Sequence, residues 1–249
     1  MTIKSKYIIP KFKKKHNPKV GLLALSTDLT IEKDFNSICH QLPLNVFVNR
    51  IHNENPLTKE NLLKMRDQIE SITKKILPGE IVDTVAYGCT SGTIAIGEDE
   101  VKEKVQLAKP NCYVTTPITS AIKAFGLMSI KKIAVFTPYP DSVNKTIYQY
   151  FSKKNIDVTS FGTFNLELDA DFANIDPKYL SETLIKLDTS EADALFISCT
   201  ALPALEIIDE VEKKINKPVF SSNQTLIWDT IRSVGHKSPV DGYGELLRN

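Results

Sequence analysis

Two cysteines stand in matched settings. Cys89 lies in Ala86-Tyr87-Gly88-Cys89-Thr90-Ser91-Gly92-Thr93, and Cys199 lies in Phe196-Ile197-Ser198-Cys199-Thr200-Ala201. Each follows a short apolar run and opens a polar turn. Free cysteine is most often a small buried hydrophobe, and Cys39 (beside Ile38 on a helical pattern) and Cys112 (at a strand start) fit that description. Cys89 and Cys199 differ because backbone N–H groups near a helix start would stabilise a thiolate and lower its pKa. Two facing thiols can move a proton across a planar carbon beside a carboxylate. One takes it as thiolate and the other returns one to the opposite face. Thr90, Ser91 and Thr200 would supply donors to the carboxylate and its enediolate form. In a second route, one thiolate adds to an activated double bond, the adduct rotates, and elimination gives the other isomer. Neither route calls for a cofactor. His16, His40, His52 and His236 fall beside neither motif, which weakens a hydrolytic Cys–His reading. There is no C-x-x-C pair for zinc or thioredoxin-like chemistry. Gly88–Gly92 matches neither a dinucleotide fingerprint nor a P-loop. Asp28, Glu32 and Asp34 sit at a helix start, where acids serve more often as caps than as metal ligands.

The elements that must carry these residues follow from periodicity. Strands are predicted at 20–25, 46–48, 81–87, 112–114, 133–136, 156–159, 194–198 and 219–220. Helices are predicted from Ile31, from Thr58 as N-cap, and over 98–107, 118–125, 143–153, 177–187, 205–214 and 225–234. Residues 88–92 read as a glycine-flanked turn and 165–175 as a polar, acidic loop. This is βα repetition with buried parallel strands. One plan is used twice: 20–25 corresponds to 133–136 and 81–87 to 194–198, and a Cys-Thr pair follows the second strand of each set. The expected fold is α/β, with two pseudo-symmetric lobes of parallel sheet flanked by helices and a cleft between them. The expected division is a basic arm at 1–18, a first lobe of 19–117 plus about 220–249, and a second lobe of 118–219. Parallel sheets bind ligands at the carboxyl ends of their strands, where both Cys-Thr pairs fall.

The chain has 249 residues, 42% of them hydrophobic, and a formal net charge of +1, so neither nucleic acid nor a membrane surface is an expected partner. Residues 1–19 hold seven lysines and no acid, which leaves 24 basic against 30 acidic residues in the body, a net of −6. No apolar run reaches the roughly 18 residues that span a bilayer. The basic leader lacks the apolar stretch of a secretory signal. Four unpaired-looking cysteines beside an ample core suggest reduced thiols and a cytoplasmic location.

The chain resembles the aspartate/glutamate racemase superfamily. The likeness is strongest to the branch that holds maleate cis-trans isomerase, arylmalonate decarboxylase and the ectoine-utilisation protein EutA. It covers about residues 19–247 and rests on Ser26-Thr27-Asp28-Leu29-Thr30, Asn55-Pro56-Leu57-Thr58, Gly88-Cys89-Thr90-Ser91, Thr137-Pro138-Tyr139, Ser198-Cys199-Thr200 and Ser221-Ser222-Asn223-Gln224. The resemblance implies that Cys89 is the nucleophile, Cys199 its acid or base partner, and Tyr139 a hydrogen-bond donor to a substrate carboxylate. It also implies a homo-oligomer. Arylmalonate decarboxylases keep only the cysteine matching Cys199, so two thiols favour the racemase and isomerase side. Asp28 departs from the asparagine of the maleate isomerases. In the pocket it would repel a dicarboxylate and suit an ammonium group. A second family asparagine, before the helix at Pro177, has no clear counterpart in the acidic stretch 165–171. The expected function is a cofactor-free racemase or isomerase of a small carboxylate, such as an amino-acid intermediate of ectoine or hydroxyectoine breakdown. The alternatives are a maleate cis-trans isomerase and a non-catalytic small-carboxylate binding protein; retention of both thiols opposes the last.

Overall fold

The computed structural model describes residues 6–13 and 16–249. Part of the basic arm, at residues 1–5, 14 and 15, lies outside the described residues. The described part of the arm has no regular structure, and Tyr7, Ile8, Ile9 and Phe12 are exposed.

The first half runs β1 (Lys19–Leu25), α1 (Ile31–Cys39), β2 (Asn45–Ile51), α2 (Lys59–Lys64), α3 (Ile69–Lys74), β3 (Thr84–Tyr87), α4 (Thr90–Ile96), α5 (Glu98–Ala108), β4 (Tyr113–Thr115) and α6 (Pro117–Leu127). The second runs β5 (Lys132–Thr137), α7 (Asp141–Lys153), β6 (Asp157–Thr163), α8 (Asp169–Ala173), α9 (Pro177–Ile185), β7 (Ala194–Ile197), α10 (Ile208–Ile215), β8 (Val219–Ser221), α11 (Ser222–Ser233) and α12 (Glu245–Arg248). The strands form two four-stranded sheets, ordered β2-β1-β3-β4 and β6-β5-β7-β8. Every pairing is parallel. The two sheets therefore share one topology, as the repeated pattern predicts.

The central strands β3 and β7 are buried at every position, because helices cover both faces, whereas the edge strands β2 and β6 are only partly buried. In each sheet the chain order reverses between the two central strands, β1 and β3 or β5 and β7. The connections leave on opposite sides there and open a crevice at the carboxyl ends. Asp28, Cys89, Tyr139 and Cys199 follow β1, β3, β5 and β7 respectively. All four lie at those two switch points.

Local chemistry sets the boundaries. Thr58 caps α2 by accepting from the Asn61 N–H at 3.2 Å. Ser221 and Gln224 close a capping box at the start of α11. That helix packs on α6, β3 and β4 as well as on β8. Strand β3 begins three residues later than the apolar pattern suggests, since Ile81 is exposed. Strand β6 extends through Thr163, beyond its apolar part. Among the described residues, no helix is long and apolar enough to cross a membrane.

Candidate active site

Cys89 is the N-cap of α4, and its Sγ accepts from the Gly92 N–H at 3.2 Å. The glycine-flanked turn of the sequence reading is therefore only Gly88-Cys89, and the helix starts at Thr90. Gly92 makes room for the sulfur: a Cβ there would lie 2.8 Å from Cys89 Sγ and 2.7 Å from Met65 Cε. Gly92→Ala is expected to lower turnover by displacing the thiol, with a stability loss of about 1–3 kcal/mol from overpacking. Rate measurement beside a urea melt checks this, and unchanged values of both would show that the thiol has slack.

Cys199 sits in an irregular turn, with Sγ accepting from the Ala201 N–H at 3.3 Å. The helix after it begins only at Ile208, past a short 3-10 turn at Leu205–Ile207. Its placement near a helix start, expected from the sequence, does not occur. The expected thiolate stabilisation is also outweighed. Burial, with the charge of Asp169 adding to it, pushes the Cys89 thiol up to about 12 against the lowering by the Gly92 N–H. Burial and Asp169 also push Cys199 well above the ordinary value, while Tyr139 and Ala201 pull it down. Desolvation of the charged form exceeds what one backbone N–H returns.

Tyr139, 3% exposed, directs its hydroxyl to Cys199, and its ring meets Phe172 edge-on at 5.9 Å. Thr90 spends its hydroxyl on Ser222 at 2.8 Å, Ser91 lies 3.9 Å from Cys89 Sγ, and Thr200 reaches the Gly88 carbonyl at 3.4 Å. The bond from Thr200 joins the two cysteine turns. The Thr30 hydroxyl adds a second tie, to Ala201 O at 2.8 Å.

Asp28 is both a cap and a site residue. Its Oδ1 accepts from the Thr30 and Ile31 N–H groups at 2.7 and 2.9 Å, at the start of α1. Its Oδ2 is buried and has no hydrogen-bond partner. The Thr200 hydroxyl lies close enough to lower its pKa, but burial dominates and raises it. All the sequence-predicted site residues thus gather at the facing strand ends.

The sequence reading missed Asp169. It opens α8, a helix inside the segment read as a loop, and accepts from Asn53 Nδ2 at 3.0 Å and from the Thr27 hydroxyl. Its charge acts on Cys89, Cys199, Tyr139 and Asp28. The clue was the acidic stretch at 165–171, but only the cross-lobe contact with Asn53 singles out one of its acids. Asp34, read from the sequence only as a helix-start acid, and Asn223, named there only within a motif, also support the site. Asn223 Nδ2 bonds Asp34 Oδ2 at 2.8 Å and the Thr200 carbonyl at 2.7 Å, bracing the Cys199 turn. Among the described residues no cluster could hold a metal ion.

Burial, only partly offset by Asn223, raises Asp34 from 3.8 to about 7, with the charge of Asp28 adding to it. The native state then holds more protons on this group than the unfolded chain between those two values, so stability falls as pH rises through that window. Asp34→Asn is expected to flatten the slope of unfolding free energy between about pH 4 and 7. Denaturant titrations at several pH values check it, and an unchanged slope would refute it.

Two parallel four-stranded sheets, each bringing a thiol to one buried site, and the likenesses that follow place the chain as an enzyme in the isomerase and decarboxylase branch of the aspartate/glutamate racemase superfamily. Within it the chain belongs to the arylmalonate decarboxylase family, whose model matches residues 70–247. A maleate isomerase of Geobacillus stearothermophilus is 24% identical over 245 residues, covering 92% of this chain and 96% of that one. The crystal structure of the Pseudomonas putida maleate isomerase Iso superposes with a TM-score of 0.85 at 21% identity, over 93% of this chain and 98% of the other. A Nocardia farcinica maleate cis-trans isomerase, solved as a cysteine-to-serine mutant with a covalently bound succinylcysteine intermediate, has a TM-score of 0.85 at 19% identity, over 93% and 98% of the two chains.

Proposed function

We propose that this chain is a two-cysteine cis-trans isomerase of a small unsaturated carboxylate. The observation that carries the reading is the meeting of Cys89 and Cys199, from equivalent strand ends of the two lobes, in one closed site with Tyr139. The succinylcysteine adduct of the Nocardia relative supports thiol addition as the chemistry.

In the reaction, Cys89 passes its proton to the neighbouring carboxylate cluster as its sulfur bonds to one alkene carbon. The π electrons move to the other carbon and its carboxylate, giving an enediolate, and the Cys199 thiol protonates that carbon. Rotation about the new single bond follows. Cys199, now thiolate, takes the proton back, the C–S bond breaks, and the other geometric isomer leaves with both thiols restored once Cys89 recovers its proton. Tyr139 holds the carboxylate as charge builds on it. Both thiols rest protonated, so the site is assembled for addition coupled to proton transfer rather than for a standing thiolate.

A racemase of amino acids uses the same thiols, and none of the relatives named above is an ectoine enzyme. Proton NMR of the protein with a panel of cis-unsaturated small carboxylates, maleate and amino-substituted enoates included, tests the proposal. Trans product is expected. Inversion of an α-stereocentre on chiral chromatography, with no cis-trans conversion of any panel member, would replace it with the racemase.

A further inference from the structure

Two buried side chains of the site each keep one acceptor oxygen out of the hydrogen-bond network. Asp28, 1% exposed, has its Oδ2 unpartnered, and its charge reaches both cysteines. Asn223, 2% exposed and bonded to the Thr200 carbonyl, leaves Oδ1 buried and unpartnered. Asp169, 5% exposed and from the other lobe, bonds through Oδ2 alone to Asn53 and to the hydroxyl of Thr27, the residue before Asp28, and its charge acts on both thiols. A buried acceptor without a donor is unfavourable, and so is a pair of carboxyls without a cation.

Among the described residues neither carboxyl is in an ion pair: the nearby Arg50 guanidinium bonds the Asp28 backbone carbonyl at 2.9 Å and pairs with Glu32 instead. Among the described residues Lys109 is the single buried basic side chain. Its ammonium bonds the carbonyls of Leu77 and Glu80, at the amino-terminal edge of the sheet, opposite the site. The charges that act most strongly on Cys89 and Cys199 are those of Asp169 and Asp28.

We infer that Asp28 and Asp169, one from each lobe, hold an ammonium group of the substrate, so that the enzyme works on a small amino-substituted carboxylate rather than on a dicarboxylate. This rests on the reading of the site as a small-carboxylate site. A dicarboxylate would bring its second negative charge against two acids, whereas an ammonium carries three N–H donors for Asp28 Oδ2 and Asp169 Oδ1, the oxygens left open by the helix cap and by Thr27 and Asn53. It also supplies the positive charge that favours thiolate formation at Cys89. In this scheme Asp28 and Asp169 select the substrate by its ammonium as well as taking up the Cys89 proton, and bond-making at carbon falls to the thiols.

The test is binding to the resting protein by calorimetry, with succinate, butyrate, β-alanine and 4-aminobutyrate as probes. These share a carboxylate and differ in the group at the far end. One of the two amino acids is expected to bind at least tenfold more tightly than succinate. Asp28→Asn and Asp169→Asn are each expected to shift that ratio at least tenfold toward succinate. Asparagine keeps an oxygen for the α1 cap and for the bonds to Thr27 and Asn53, and circular dichroism checks the fold of both variants. Succinate binding as tightly as both amino acids, no binding of either amino acid, or a ratio unmoved in the folded variants overturns the inference. The wild-type ratio decides alone if a variant does not fold. Turnover plays no part in this measurement. Loss of the cis-trans reading with an intact ammonium preference, and the converse, are therefore separate results.

Discussion

Cys89→Ser is expected to abolish turnover, by a factor of at least about 10³, while the fold survives. A serine hydroxyl ionises far less readily than even this buried thiol, and no histidine was found beside the motif to deprotonate it. The fold survives because serine is itself a good N-cap: Oγ replaces Sγ as acceptor for the Gly92 N–H that now lies at 3.2 Å. Cys199→Ser follows the same logic, with the Ala201 N–H at 3.3 Å as the retained donor. Steady-state rates with a matched thermal melt check both. Full activity in either variant would end the two-thiol mechanism, and a collapsed melting curve would mean that the sulfur is structural. The pH profile adds a second reading. Because the Cys89 thiol, raised to about 12, gives up its proton only as its sulfur bonds to carbon, kcat/KM should show no tenfold rise per pH unit across the neutral range, and such a rise would mean that a standing thiolate attacks.

Phe125→Ala is expected to lower unfolding free energy by about 3–5 kcal/mol, the largest stability effect of any substitution considered. Phe125 is fully buried near the end of α6. Its ring lies edge-on to Phe196 of β7 at 5.7 Å and to Phe220 of β8 at 5.1 Å, and tilted to Phe151 of α7 at 6.2 Å. Four aromatic rings packed in this way leave a cavity that the rigid sheet cannot collapse around. The same sheet carries Cys199 at the end of β7, so activity should fall at a lower temperature in the variant. Urea denaturation at equilibrium measures the loss. A change under about 1 kcal/mol would show that the neighbouring rings repack.

Much of the fold was legible because fully buried parallel strands leave continuous apolar runs, as Leu22–Leu25 and Ala194–Ile197 do, separated by helices with their own period. Boundaries were less so. Residues 90–92 are small and polar and read as a turn, yet they begin α4, because Cys89 and tertiary packing supply what propensity does not. Helix α8 has only five residues, too few for a periodic signal, and it is ordered in part by Asp169 meeting Thr27 and Asn53 across the cleft.

The two thiols were determined by the sequence alone: their types, and their place just beyond equivalent apolar strands, sufficed. So was the twofold plan of the sheets. The tertiary structure decided the electrostatics. Whether a backbone N–H or desolvation governs a thiol depends on how completely the two lobes close over it, and Cys89 is 3% exposed and Cys199 4%. It decided also that Asp169, 80 residues from Cys89 in the chain, shares its site, and that Asp28 caps a helix with one oxygen while the other is buried without a hydrogen-bond partner. Such pairings are made by contacts between lobes, and local sequence pattern carries no record of which distant side chain arrives there.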